Sequence, residues 1–129
     1  MSASLVAAYL FTGFTALLCA VQIAVVAGAP LGPYVWGGRH EGRFPLKLRI
    51  SSAFSLLIYA VLVLVILDRA GAVHVLPAGI SAPGAWVTFG FLVLGTIMNS
   101  ISSSRKERMI MTPLAAFLAG SALVVALGF

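Results

Sequence analysis

A four-helix transmembrane bundle is the fold this sequence predicts, and three observations carry it. Long apolar runs recur four times in 129 residues, and charged residues make up only 9% against 61% hydrophobic. Seven of the eight Lys and Arg residues fall in two of the three connections between those runs. An ordinary soluble domain is about a quarter charged, and so short a chain cannot bury this much apolar surface in a core of its own. A bilayer has to be the solvent.

The first run lacks any charge up to Gly38, and Leu5 to Gly28 is long enough to cross a hydrocarbon core of roughly 30 Å at 1.5 Å per residue. Small residues recur along it at every fourth position from Ala8 through Ala16, Ala20 and Ala24, a pattern that lets helices approach closely in lipid. Beside that row runs a mildly polar stripe, Thr12, Thr15, Cys19 and Gln22, with Gln22 expected to be hydrogen-bonded inside the bundle. Intramembrane polar residues are also where ligands bind, so Gln22 carries that second reading. Cys19 is the lone cysteine and reads as a packing residue. With Leu18 before it and no basic residue ahead of the run, neither a lipoprotein signal nor a cleaved signal peptide is expected.

A second span is predicted from Pro45 to Leu67, with the proline in the first turn, where its missing N–H costs nothing. Ser52, Ser55 and Tyr59 share one of its faces and are expected to hydrogen-bond between helices. Asp68 and Arg69 end it at the interface. The third span, 83–101, is expected to be capped by Ser81, with Pro83 in its first turn and Trp86 at interface depth. Its end turns polar at Thr96, Asn99 and Ser103. The fourth span is predicted at 113–128. Ser104 to Glu107 fits a capping box, and Thr112-Pro113 fits an N-cap with proline at N1. The chain therefore either restarts at Pro113 or runs through as one helix bent there. Alanines and Gly120 give this span a second close-packing surface, and self-association through spans one and four is expected.

Arg39, Arg43, Lys47 and Arg49 lie between spans one and two, and Arg105, Lys106 and Arg108 between three and four. In an even-span bundle both groups fall on one side. The positive-inside rule makes that side the cytoplasm and puts both termini outside. Net charge of +5 thus reads as topology and as attraction to anionic lipid headgroups, with no soluble basic face for nucleic acid. So uneven a charge distribution argues against the dual insertion of some small exporters and fluoride channels. The three acids, Glu41, Asp68 and Glu107, all fall near interfaces rather than at mid-membrane, where a proton-coupled exporter would want a carboxylate.

The connection around Pro30 to Arg49 is long for so compact a protein, and long loops tend to be functional. It holds Tyr34, Trp36 and Phe44 together with Gly37, Gly38 and His40. Across the same face stands the block from Asn99 to Pro113. Two readings follow. In one, Glu41 and Glu107 pair with arginines of the opposite connection and clasp the helix pairs together, each pair contributing about 0–1 kcal/mol. In the other, Arg39, His40, Glu41, Arg49, Asn99, Glu107 and Arg108 surround an anionic headgroup or small anionic ligand. His40 is the one candidate for acid–base chemistry, since its reference pKa lies near cytoplasmic pH. A metal site is not expected, as His40 and His74 lie on opposite sides and one cysteine completes no ligand set. Nor is a haem or other cofactor, with no histidine inside a span.

The string GG-x-H-x-G-x-x-P-x-x-x-R, here Gly37, Gly38, His40, Gly42, Pro45 and Arg49, occurs with a later N-x-x-S-x-S-x-x-E-R block before a Thr-Pro. The later block comprises Asn99, Ser102, Ser104, Glu107 and Arg108, followed by Thr112 and Pro113. Together they resemble a family of small four-span bacterial integral membrane proteins of unknown function. The resemblance covers the whole layout and implies a multi-pass protein of the bacterial cytoplasmic membrane; it brings no activity with it. On the residues, the expected function is a non-enzymatic module binding an anionic headgroup, a small anionic ligand or a membrane partner. The alternative is a small interfacial enzyme or transporter for an amphipathic anionic substrate.

Overall fold

In the computed structural model the described residues are 2–27, 46–77, 79–101 and 105–129; the side chains of 25, 46–48, 106 and 107 are not among what is described. Among these residues the regular secondary structure is all helix: α1 (Ala3–Val26), α2 (Leu46–Ala70), α3 (Ser81–Ser100) and α4 (Arg105–Leu127). Each holds a stretch long and apolar enough to cross a membrane, which makes the chain a multi-pass membrane protein. α1 packs on α2, α2 on α3, α3 on α4 and α4 back on α1, with α3 and α4 most closely joined.

All four helices bury residues at alternating spacings of four and three. The seam of α1 runs through Ser4, Ala8, Phe11, Thr15, Leu18 and Gln22; that of α3 through Ala85, Thr88, Leu92, Gly95 and Asn99. On α2 it is Ser52, Ser55, Tyr59, Leu62 and Ile66, and on α4 Met111, Ala115, Leu118, Ala122 and Val125. A seven-residue repeat keeps one face toward its neighbours only if the helices coil left-handedly, the common hand of membrane bundles. The core is mostly small: Ala8, Ala85 and Ala122 are fully buried, with Phe11, Ile66, Leu118 and Val125 as the bulky members. Lipid is as apolar as leucine, so burial itself drives little association here; close contact has to supply the stabilisation. The row of small residues on α1 divides accordingly. Ala8 is buried against the other helices, whereas Ala16 and Ala20 face outward.

The helix ends are secured individually. Leu5 N–H donates to Ser2 Oγ at 3.1 Å, an N-cap for α1. At the end of α2, Gly71 takes φ +87°, Ala72 N–H donates to Leu67 O and Gly71 N–H to Asp68 O. This is a Schellman closure, for which a left-handed glycine is the usual requirement. The Asp68 carboxylate then accepts the N–H groups of Val75 and Leu76, both at 2.8 Å, and pins the connection to α3. Ser81 does not cap α3 as expected. The cap position is Ile80, in helical conformation and without a side-chain cap. Ser81 is already the first helical residue, and its hydroxyl donates to Asp68 instead. α4 is one helix from Arg105 with Pro113 inside it, so of the two arrangements open at that point the continuous one is observed.

α2 also holds its neighbours by arginine. Arg49, in its first turns, donates through Nε (3.0 Å) and Nη2 (2.8 Å) to Val26 O, the last residue of α1. Arg69, in its last turn, donates through Nη2 to Ala126 O near the end of α4 at 3.2 Å. Each guanidinium meets carbonyls that a helix C-terminus leaves without intrahelical donors, and each places positive charge at the negative end of the dipole.

Candidate functional site

A cavity of about 240 Å³ lies among the four helices. Its position follows from the seams. Gln22 is one turn from the end of α1, Asn99 is the penultimate residue of α3, Ser55 belongs to the first half of α2, and Met111 to the second turn of α4. These lie toward the end where the chain passes from α1 to α2 and from α3 to α4, the end bearing seven of the eight basic residues, while Tyr59 stands at the middle of α2. Leu18, Phe91, Leu92 and Leu118 complete an apolar wall. Gly95 opens the space further, since a Cβ built there meets no atom within 4 Å. The lining is therefore amphipathic: four neutral polar side chains, one from α1, two from α2 and one from α3, against apolar residues of α1, α3 and α4.

The polar groups are unevenly satisfied. Ser55 Oγ donates to Ser51 O at 3.0 Å, and Thr12 (2.8 Å to Ala8 O) and Thr96 (2.8 Å to Leu92 O) likewise bond back to their own helices. The expectation of bonds between helices fails at Ser55, because a hydroxyl finds the carbonyl four residues earlier without crossing any gap. Gln22 departs from expectation in a more telling way. It is 7% exposed and its Oε1 has no hydrogen-bond partner. A buried carbonyl oxygen without a donor costs about 1–3 kcal/mol, and native proteins leave few such groups unexplained.

Of the residues singled out in the sequence, Arg39, His40 and Glu41 lie outside the described residues. Asn99 lines the cavity. Arg49 stands at the same end but is engaged with the carbonyl of Val26. Arg108 is exposed in the first turn of α4, three residues before the cavity-lining Met111, and Glu107 precedes it. His74 is exposed in the connection between α2 and α3. Among the described residues no three His, Cys, Asp or Glu gather where they could hold a metal ion. The sequence did not bring out Leu18 or Met111 as neighbours of the polar groups. Their signal was the seven-residue seam, which only becomes visible once helix rotation is known.

Fold and site together define a four-helix membrane protein with a small amphipathic cavity in one half of its bundle. Set against known proteins, the chain matches no family model, no curated protein and no solved structure.

Proposed function

We propose that this protein is a non-enzymatic binding module for an anionic amphiphile. The apolar part of the ligand enters the cavity between the helices, and its anionic group meets the basic residues of the two adjacent connections. The observation that carries this reading is the position of the cavity: amphipathic, and at the end of the bundle with the basic sequence. Ligand sites are typically concave and mostly apolar with a few convergent polar groups, and anions at an interface are held by charge-assisted bonds from arginine. The seven site residues drawn from the sequence belong to this reading as the anion-facing group, with Arg49 doubling as a support for α1. Asp68, the one acid whose side chain is described, stands at the opposite end of the bundle and is engaged with the N–H groups of Val75 and Leu76.

The reading includes an orientation and a setting. The basic connections face the cytoplasm and both termini lie outside, in the cytoplasmic membrane of a bacterium, as the resemblance to small four-span bacterial proteins implies. Ala16 and Ala20 on α1 and Ala116 and Gly120 on α4 are exposed and supply the surface for self-association. In a Cys19→Ser background, cysteines placed at positions 40 and 74 are expected to react with impermeant reagent from inside and outside respectively; the opposite pattern overturns the orientation.

The deciding experiment is native mass spectrometry after mild extraction. The wild type is expected to retain an anionic amphiphile. Gly95→Leu, which fills the cavity without touching a charge, is expected to lose it, and Arg108→Ala to weaken it. A wild type that retains nothing in repeated extractions, or a folded Gly95→Leu that retains as much as wild type, refutes the reading.

A further inference from the structure

The cavity's make-up and the buried, unpartnered acceptor of Gln22 narrow the ligand further. This inference rests on the cavity being the binding site, as proposed above. A volume of about 240 Å³ is many times the ~10–15 Å³ that one water needs. It has room for part of one acyl chain. The apolar wall of Phe91, Leu92 and Leu118 lies on the side of the bundle centre, and Gln22 and Asn99 lie nearer the helix ends. An amphiphile entering with its tail inward therefore places the atoms between tail and anionic head beside Gln22. Gln22 carries an Oε1 with no partner, itself shielded from the open space, on a side chain more than nine-tenths buried. The terminal torsion of a glutamine is soft, so the amide can turn Oε1 onto a ligand at small cost. Asn99, likewise near its helix end, contributes a donor, the asparagine NH₂.

We propose that the cavity takes a single-chain acyl amphiphile that carries a hydrogen-bond donor, an amide N–H or a hydroxyl, between its tail and its anionic head, and that Gln22 reads this donor. An amide at that position is matched on both sides. Its N–H donates to Gln22 Oε1, its carbonyl accepts from Asn99, and a carboxylate beyond it lies toward the helix ends that carry Arg49 and Arg108. A simple fatty acid leaves Gln22 unpaired.

The test uses two probes that differ by one atom group, N-dodecanoylglycine and its N-methylated analogue N-dodecanoylsarcosine. Each is titrated at low concentration against the full-length protein in nanodiscs, with binding read by native mass spectrometry. N-dodecanoylglycine is expected to bind about tenfold more tightly or better, because the methylated probe leaves a buried acceptor without its donor. Gln22→Leu is expected to bring the two probes to equal affinity by weakening the first alone. Equal binding of both probes to wild type overturns this inference while leaving the cavity as an amphiphile site. Failure of both probes to bind, with retained lipid also absent, overturns both readings. Dodecanoylglycine discrimination that survives in folded Gln22→Leu removes Gln22 from the role. Should Gln22→Leu fail to fold, Gln22→Met gives the same comparison with the side-chain length kept, and the wild-type pair of titrations already decides between donor and no donor.

Discussion

Arg49 offers a quantitative check on how this bundle is held together. Its guanidinium donates twice to the carbonyl oxygen of Val26, at 3.0 and 2.8 Å, so replacing it with methionine keeps the stem and removes both the donors and the charge. A hydrogen bond from a charged donor contributes about 1.5–3 kcal/mol, and a cation at a helix C-terminus about 0.3–1 kcal/mol. The two effects overlap, and Arg49 is partly exposed, where solvent screens charge. Arg49→Met is therefore expected to cost about 2 kcal/mol, roughly a thirtyfold shift in the folding equilibrium. Arg49→Lys keeps the charge but offers no planar fork and is expected to lose about half as much. The assay is reversible unfolding in mixed micelles, followed by tryptophan fluorescence. Arg69 supplies the internal comparison. It makes one bond, at 3.2 Å, and its Nε is shielded without a partner. Arg69→Met should thus cost clearly less than Arg49→Met. An Arg49→Met protein within about 0.5 kcal/mol of wild type, below the low end of a charged hydrogen bond, or a reversed order of the two arginines, refutes this account.

Three further outcomes follow from the packing and the ends. Gly128→Ala forces alanine into φ +80° and sets its Cβ 3.1 Å from Arg69 Nη2; a loss of about 1–2 kcal/mol is expected in the same unfolding assay. Ala122→Leu adds bulk to a fully buried position in the core and is expected to cost about 1–3 kcal/mol, whereas Ala116→Leu on the exposed face of the same helix leaves monomer stability near wild type. Asp68→Ala removes the acceptor for two backbone N–H groups at 2.8 Å. Hydrogen exchange at Val75 and Leu76 should accelerate in that variant, while amides in the middle of α2 keep their protection.

The existence of four helices was legible because lipid demands it: any stretch that crosses a bilayer must be apolar over its whole length, and composition alone reveals that. Helix ends were less legible. Ser81 has the right residue type for a cap, but Asp68 competes for its hydroxyl from another helix, and sequence spacing says nothing of that distance. Pro113 reads as a helix start, yet the helix begins eight residues earlier at Arg105, where the capping box pointed. The site was legible in fragments. Gln22, the Ser55–Tyr59 pair and Asn99 stood out as polar residues within apolar runs, and one face of each helix could be drawn. What could not be drawn was the rotation of each helix about its axis, which decides whether three polar faces meet. Arginine near a helix end reads as a topology signal; that Arg49 and Arg69 each serve the C-terminus of a different helix depends on contacts between segments far apart in the chain.

The two arginines of α2 also set a length. They stand about twenty residues apart on one helix, roughly 30 Å at 1.5 Å per residue, which is the thickness of a typical hydrocarbon core. Arginines near membrane interfaces commonly adjust to lipid by snorkelling, but here both guanidiniums are tied to backbone carbonyls of other helices. The apolar height of the protein is therefore fixed by its own hydrogen bonds. A bilayer thicker or thinner than that height has to bend toward the protein, or tilt it, at a cost of fractions of a kcal/mol per Å. α2 acts in effect as a ruler, and membranes of different thickness will rank differently as hosts for this protein.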